Sequence, residues 1–250
     1  MNKINILGIP FHALTMDETL DALEGYLDKP KNHIVVTPNP EGVMQARRNP
    51  DFAKALREAD LTLADGTGVV LAAKLTGQKI PGRVRGLDTV FKLCERLSHK
   101  KRNFTMYFLG GKPGVAQRAQ QMMEARFPTM TVVGCHHGFF TDDEAIVDDI
   151  NEASPDILLV CTGMPRAELW AAKRRRVDAR VTMCVGGTLD VMAGEVQLAP
   201  AFMRKVGLEW LYRLIRQPWR AKRMLDIPRF VFAVIFSKDR SAGETPAKEA

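Results

Sequence analysis

The chain has 250 residues, 46% hydrophobic and 26% charged, the make-up of an ordinary globular protein able to bury one large core. Cys94, Cys135, Cys161 and Cys184 stand without a C-x-x-C pair, which argues against a disulfide framework or zinc site and suits a reducing cytoplasm; the apolar start is too short for a signal peptide, and no stretch approaches the roughly 18 apolar residues of a membrane span. The net charge of +7 resides in residues 196–240, where ten Lys/Arg face only Glu209, Asp226 and Asp239, and this points to a polyanionic partner: a lipid surface, a diphosphate or a nucleic acid.

From the first residues to about 194, short apolar runs rich in β-branched residues alternate with longer amphipathic stretches. The runs fall at 4–7, 33–37, 61–64, 104–109, 131–135, 156–161 and 181–185. Helix starts lie between them: Thr15 to Glu18 and Thr141 to Glu144 have capping-box spacing, and Asn49-Pro50 reads as an N-cap followed by proline. This alternation predicts an α/β fold over residues 1–195, a Rossmann-like, mostly parallel sheet with helices on both faces. After Gly194 the pattern turns helical, with Pro200, Pro218 and Pro228 as breaks or starts. Arg213, Arg216, Arg220 and Arg223 share one quadrant of a helical wheel, and the apolar run from Phe230 to Phe236 suits a membrane interface. Residues 196–240 thus read as a basic helical appendage, and 241–250 as a disordered tail.

In open α/β sheets ligands bind beyond the carboxyl ends of the strands, so the residues leaving each run are the candidates. Thr37-Pro38-Asn39-Pro40 is held rigid by its prolines, either as a plain strand exit or as a substrate contact. Asp65, followed by Gly66-Thr67-Gly68, is placed either to cap a helix or to act as a general base in the crevice. Gly110-Gly111-Lys112-Pro113-Gly114 can hold phosphate or ribose on backbone N–H groups, or simply turn the chain. It matches neither the P-loop nor the dinucleotide fingerprint, which weakens an oxidoreductase reading that a nicotinamide titration tests.

His136 and His137 lack a clustered third ligand, and no D-x-D occurs, so no metal site is expected; a diphosphate would be neutralised by arginines such as Arg83 and Arg85 or by helix N-termini. A nucleic-acid module built on the basic segment lacks aromatic stacking platforms and any familiar motif.

Taken in order, Thr37-Pro-Asn39, Ala64-Asp65-Gly66-Thr-Gly-Val, Pro81-Gly-Arg83-Val-Arg-Gly, Leu109-Gly-Gly-Lys, His137-Gly-Phe-Phe, Gly163-Met-Pro-Arg-Ala-Glu168 and Gly207-Leu-Glu-Trp-Leu-Tyr-Arg213 resemble the WecG/TagA/CpsF glycosyltransferase family over roughly residues 4 to 230. The resemblance implies an inverting, metal- and cofactor-independent transferase. Its donor would be a UDP-sugar, carrying N-acetylmannosamine, the corresponding uronic acid or glucuronic acid. Its acceptor would be a sugar linked to polyprenyl diphosphate, used in cell-surface polysaccharide assembly on the inner face of the membrane.

By motif, the family's base falls on Asp65 and its substrate contacts on Thr37, Asn39 and Arg83. Its diphosphate-handling arginines fall on Arg213, Arg220 and Arg223. The nucleotide segment falls on Gly186 and Asp190, with Gly110, Gly111 and Gly163 at neighbouring strand ends and Phe139 packing near the base. The chain departs from the family at Ala167, where glutamine is usual. An anionic membrane surface and, away from it, a homo-oligomer that buries the apolar C-terminal helices are the expected partners.

Overall fold

In a computed structural model, residues 1–200, 202–203, 207–218 and 221–237 are described. A hairpin, β1 (Lys3–Ile6) and β2 (Ile9–His12), comes first. Then follow α1 (Met16–Leu27), β3 (His33–Val36), α2 (Pro40–Ala46), α3 (Pro50–Glu58), β4 (Leu61–Thr62), α4 (Thr67–Leu75) and α5 (Gly86–His99). The second half runs β5 (Phe104–Gly110), α6 (Val115–Arg126), β6 (Met130–His136), α7 (Glu144–Ala153), β7 (Ile157–Cys161), α8 (Arg166–Lys173), β8 (Val181–Cys184) and α9 (Thr188–Met192). The C-terminal helices are α10 (Glu209–Arg216), α11 (Ala221–Met224) and α12 (Asp226–Phe236).

The main sheet is six-stranded with every pairing parallel, in the order β4-β3-β8-β7-β5-β6. Side chains alternate across a strand, so each strand feeds two cores. Ile34, Tyr107, Leu109, Leu158 and Val160 join residues of α2, α3, α4, α7, α8 and α12 on one face. Val35, Met106, Phe108, Leu159 and Met183 join α1, α5, α6 and α9 on the other. Both faces are covered, as the apolar runs require.

The first apolar run corrects the expectation of a strand in this sheet. Leu7 and Gly8, both at positive φ, make a two-residue turn, and β1 pairs antiparallel with β2 as a separate ribbon. The ribbon is docked on the open edge of the sheet. Nδ1 of the buried His12 accepts the Thr62 backbone N–H at 2.9 Å, and burial lowers the His12 pKa to about 4, which keeps that nitrogen an acceptor.

The Thr15–Glu18 capping box forms, and Asn49 caps α3 through the Phe52 N–H at 3.0 Å. The box expected at Thr141 does not form. Helix α7 starts after Asp143, whose carboxylate is instead engaged by Arg174 and by the indole N–H of Trp170. Pro218 falls between α10 and α11. Helix α12 packs on α2 and α4, placing Phe230 and Val234 in the first core. Arg220 and the 241–250 tail lie outside the described residues, as does the side chain of Arg213.

Candidate functional site

Parallel strands all end on the same side, so the exits of β3, β4, β5, β7 and β8 share one rim. Leaving β3, Thr37 donates its hydroxyl to the Cys184 carbonyl at 3.1 Å, tying the ends of β3 and β8 together. Asn39 caps α2, its Oδ1 accepting the Gly42 N–H at 3.0 Å. Gly86, the first residue of α5, closes the gap: a Cβ there would stand 3.0 Å from Thr37 Oγ1 and 3.0 Å from Val185 Cγ1. Thr37, Val185 and the start of α5 are therefore in contact.

Asp65 faces the same place. Of its two readings, the helix cap is not realised, because α4 starts from Gly66 at φ 138° with no side-chain cap. Its Oδ2 accepts the Gly86 N–H at 3.4 Å and its Oδ1 accepts from Arg83 Nη2 at 3.3 Å, with the side chain 28% exposed. That Nη2 also donates to Glu209 Oε2 at 3.0 Å, and Arg85 Nη2 donates to Glu209 Oε1 at 3.1 Å. A chain of alternating charge runs from the exit of β4 to the first residue of α10. Burial opposes the charged form of Arg83, but the adjoining Asp65 and Glu209 carboxylates outweigh it and raise its pKa.

A second C-terminal group reaches the rim at α2. Arg223 Nε donates to Glu41 Oε1, one turn into the helix that Asn39 caps. Met164, in the turn after β7, seats against Gly42, where a Cβ would stand 2.5 Å from its sulfur. Beyond it Ala167 is buried in the apolar core, so the polar contact usual at this position is not offered. Its neighbour Glu168 is 5% exposed, and its Oε2 has no hydrogen-bond partner among the described residues. Burial pushes the Glu168 carboxyl up to about 7.

A glycine-walled crevice opens between β5 and β7, whose onward connections diverge, β5 outward to β6 and β7 back to β8. Gly110 stands at φ 149°, and a Cβ there would lie 2.6 Å from the Cys161 backbone; no other residue type fits. Gly138 donates to the Gly111 carbonyl at 2.8 Å. Thr162 lies alongside with Oγ1 buried and without a hydrogen-bond partner among the described residues. Gly163 follows at φ 82°. At the end of β8, Gly186 turns the chain at φ 56°, and Asp190 lies in the first turn of α9 beside Gly187.

Phe139 stands past the end of β6, the edge strand opposite β4, and is 66% exposed. With His136, His137, Phe140 and Arg166 it lines a cavity of about 570 Å³, in which the Arg166 guanidinium lies 4.4 Å from the Phe140 ring centroid.

Thr37, Asp65, Arg83 and Gly86 thus form one cluster, with Asn39 and Arg223 brought to the adjoining first turn of α2. A half-exposed carboxylate beside fixed guanidinium groups can take a proton from a hydroxyl while the cations balance a diphosphate. Among the described residues no group of three or more His, Cys, Asp or Glu side chains is placed to hold a metal ion. Sequence reasoning gave no role to Glu209, Glu41 or Glu168. A signal for the first was present: an acid kept within a segment of ten cations needs a specific partner.

The pattern of the glycosyl transferase WecG/TagA/CpsF family matches residues 4–243. Three similar proteins bear the same name, N-acetylglucosaminyldiphosphoundecaprenol N-acetyl-beta-D-mannosaminyltransferase. The one from Bacillus spizizenii (strain W23) is 35% identical over 218 residues, covering 87% of this chain and 84% of its own. That from Bacillus subtilis (strain 168) is 31% identical, covering 94% and 92%. That from Staphylococcus aureus (strain MRSA252) is 30% identical, covering 94% and 93%.

Proposed function

The chain belongs to the WecG/TagA/CpsF family of glycosyl transferases, and from that premise we propose that it moves N-acetylmannosamine, or its uronic acid, from a UDP-sugar to N-acetylglucosamine linked to polyprenyl diphosphate. The observation that carries the reading is the Asp65 carboxylate, part-exposed and held by Arg83 and the Gly86 N–H at the rim of the sheet.

The reaction is a single displacement. Asp65 takes the proton from an acceptor-sugar hydroxyl, that oxygen attacks the anomeric carbon, and UDP departs with inversion. Arg83 and the C-terminal arginines, Arg223 among them and Arg213 and Arg220 by motif, balance the charge that grows on the diphosphate; stabilisation of this kind is often the largest catalytic term. Thr37 and Asn39 contact substrate from the β3 exit. The turns at Gly110-Gly111, Gly163 and Gly186, with Asp190 and Phe139, receive the nucleotide. No metal takes part.

The residues that carry the positive charge also favour an anionic lipid surface, at about 1 kcal/mol per cation near it. No described helix is long and apolar enough to cross a membrane, so docking is peripheral, on the inner face of the cell membrane. The buried Ala167 keeps a donor such as UDP-glucuronic acid as the second reading.

Purified protein is given UDP-N-acetylmannosamine, its uronic acid or UDP-glucuronic acid, with a short polyprenyl-diphosphate N-acetylglucosamine, and the product is weighed by mass spectrometry. Disaccharide lipid from the first or second donor is expected. Asp65→Asn should lower turnover by roughly 10²- to 10⁴-fold, the range for loss of a general base, with UDP binding retained. No transfer from any of the three donors, or full activity in Asp65→Asn, would sink the reading.

A further inference from the structure

We infer that Glu209 is a positioning residue for this reaction: it draws Arg83 partly away from Asp65 and so keeps the catalytic carboxylate open to the acceptor. The inference rests on the transferase reading above.

The geometry is specific. A single nitrogen, Arg83 Nη2, donates to both carboxylates, at 3.0 Å to Glu209 Oε2 and at 3.3 Å to Asp65 Oδ1. The shorter contact is an ordinary hydrogen bond, whereas the longer one lies beyond the usual 2.7 to 3.2 Å. Glu209 is itself clamped, because Arg85 holds its other oxygen at 3.1 Å and both side chains are buried. A carboxylate is buried in this way only when paired, and this one spends its two oxygens on two arginines of the loop that leads from Asp65 to Gly86.

Neutralising Glu209 leaves Asp65 as the remaining anion that this guanidinium touches. Arg83 then closes on Oδ1, the oxygen facing the cation, and the carboxylate turns on its other anchor, the Gly86 N–H. Two consequences follow. The base is masked from the acceptor hydroxyl, and the Gly86 amide loses protection. Because α10 begins at Glu209, the C-terminal segment contributes to the active site through an acid as well as through its arginines.

The experiment is a double-mutant cycle on Glu209→Gln and Arg83→Ala, with Glu209→Asp as the conservative variant, read by turnover and by hydrogen exchange at the Gly86 amide. In the wild-type background Glu209→Gln should lower kcat about tenfold, within the range of coupling between contacting residues, with both KM values held within roughly twofold. Gly86 should exchange faster, and Glu209→Asp should restore part of both. In the Arg83→Ala background Glu209→Gln should change neither.

If Glu209 only pins α10 through Arg85, the substitution speeds Gly86 exchange equally in both backgrounds, and that result overturns the inference. The exchange cycle needs no substrate. An inactive wild type would therefore count against the transferase reading, while the cycle still decides the role of Glu209.

Discussion

Arg48 and Asp226 face one another across 178 residues of sequence, the guanidinium of the first meeting the carboxylate of the second through two bonds of 2.9 and 2.5 Å. The pair fastens the first residue of α12 to the loop after α2, and Arg229 adds a third bond at 3.3 Å. Asp226 is buried while Arg48 is half-exposed, so the contact ranks between a surface ion pair and an interior one.

Asp226→Asn should therefore loosen α12 and lower stability by about 1 to 2 kcal/mol. The bonds from Arg48, with help from Arg229, hold the folded pKa of Asp226 below its ordinary value despite burial. A depressed carboxyl stabilises the fold above its unfolded value, near 3.9, and that contribution disappears as pH falls through the folded value. Urea midpoints at pH 7 and at pH 3 should converge for wild type and variant at the lower pH. An equal gap at both would reject this account.

Glu168 has the opposite sign. With its carboxyl pushed up to about 7 by burial, the folded chain keeps a proton that the unfolded chain releases above about 4.5. Stability should fall as pH rises through that window and level off above it, by about 3 kcal/mol for a shift of this size. Glu168→Gln should flatten the slope, gaining most at pH 7.5 and least at pH 4.5. Denaturant titration at the two values measures it, and an unchanged slope would show that the carboxyl is ionised in the fold.

Deleting residues 196–250 should abolish transfer and also make the sheet portion self-associate. Phe230 and Val234 are buried in the core that α2 and α4 share, so their loss bares apolar surface there. Light scattering coupled to size exclusion, with a turnover assay alongside, would detect both effects. A monomeric and active truncation is the contrary result.

Gly86→Ala separates fold from function. Alanine in the first turn of a helix gains up to about 1 kcal/mol over glycine, whereas overfilling a packed site costs about 1 to 3 kcal/mol. The added carbon meets Thr37 Oγ1 and Val185 Cγ1, each at 3.0 Å, so the net change in stability should be small and destabilising. Turnover should drop well beyond that, since Thr37 must yield and the Gly86 N–H anchors Asp65. Wild-type kcat with an altered melting point would separate Gly86 from the site.

The sheet was readable because each of its strands is a run of buried side chains, and Asn49 and the Thr15–Glu18 pair announced their helices by spacing alone. The hairpin was not: Leu7 at positive φ is no ordinary turn residue, and Pro10 sits in a ribbon strand where it interrupts the apolar pattern. Asp65 could be placed at a strand exit, but its partners could not. Arg83 and Glu209 are 126 residues apart and Arg223 and Glu41 are 182, and no local periodicity records a contact across such distances.

The imidazole of His12 has a bearing on how copies of this chain can meet. By taking the Thr62 N–H it stands where another molecule's strand would have to add, which closes that flank of the sheet to end-on growth. Association by way of helices stays open, and the outward Leu71 and Leu75 of α4, next to Phe232 and Phe236 of α12, offer the greasiest ground for it.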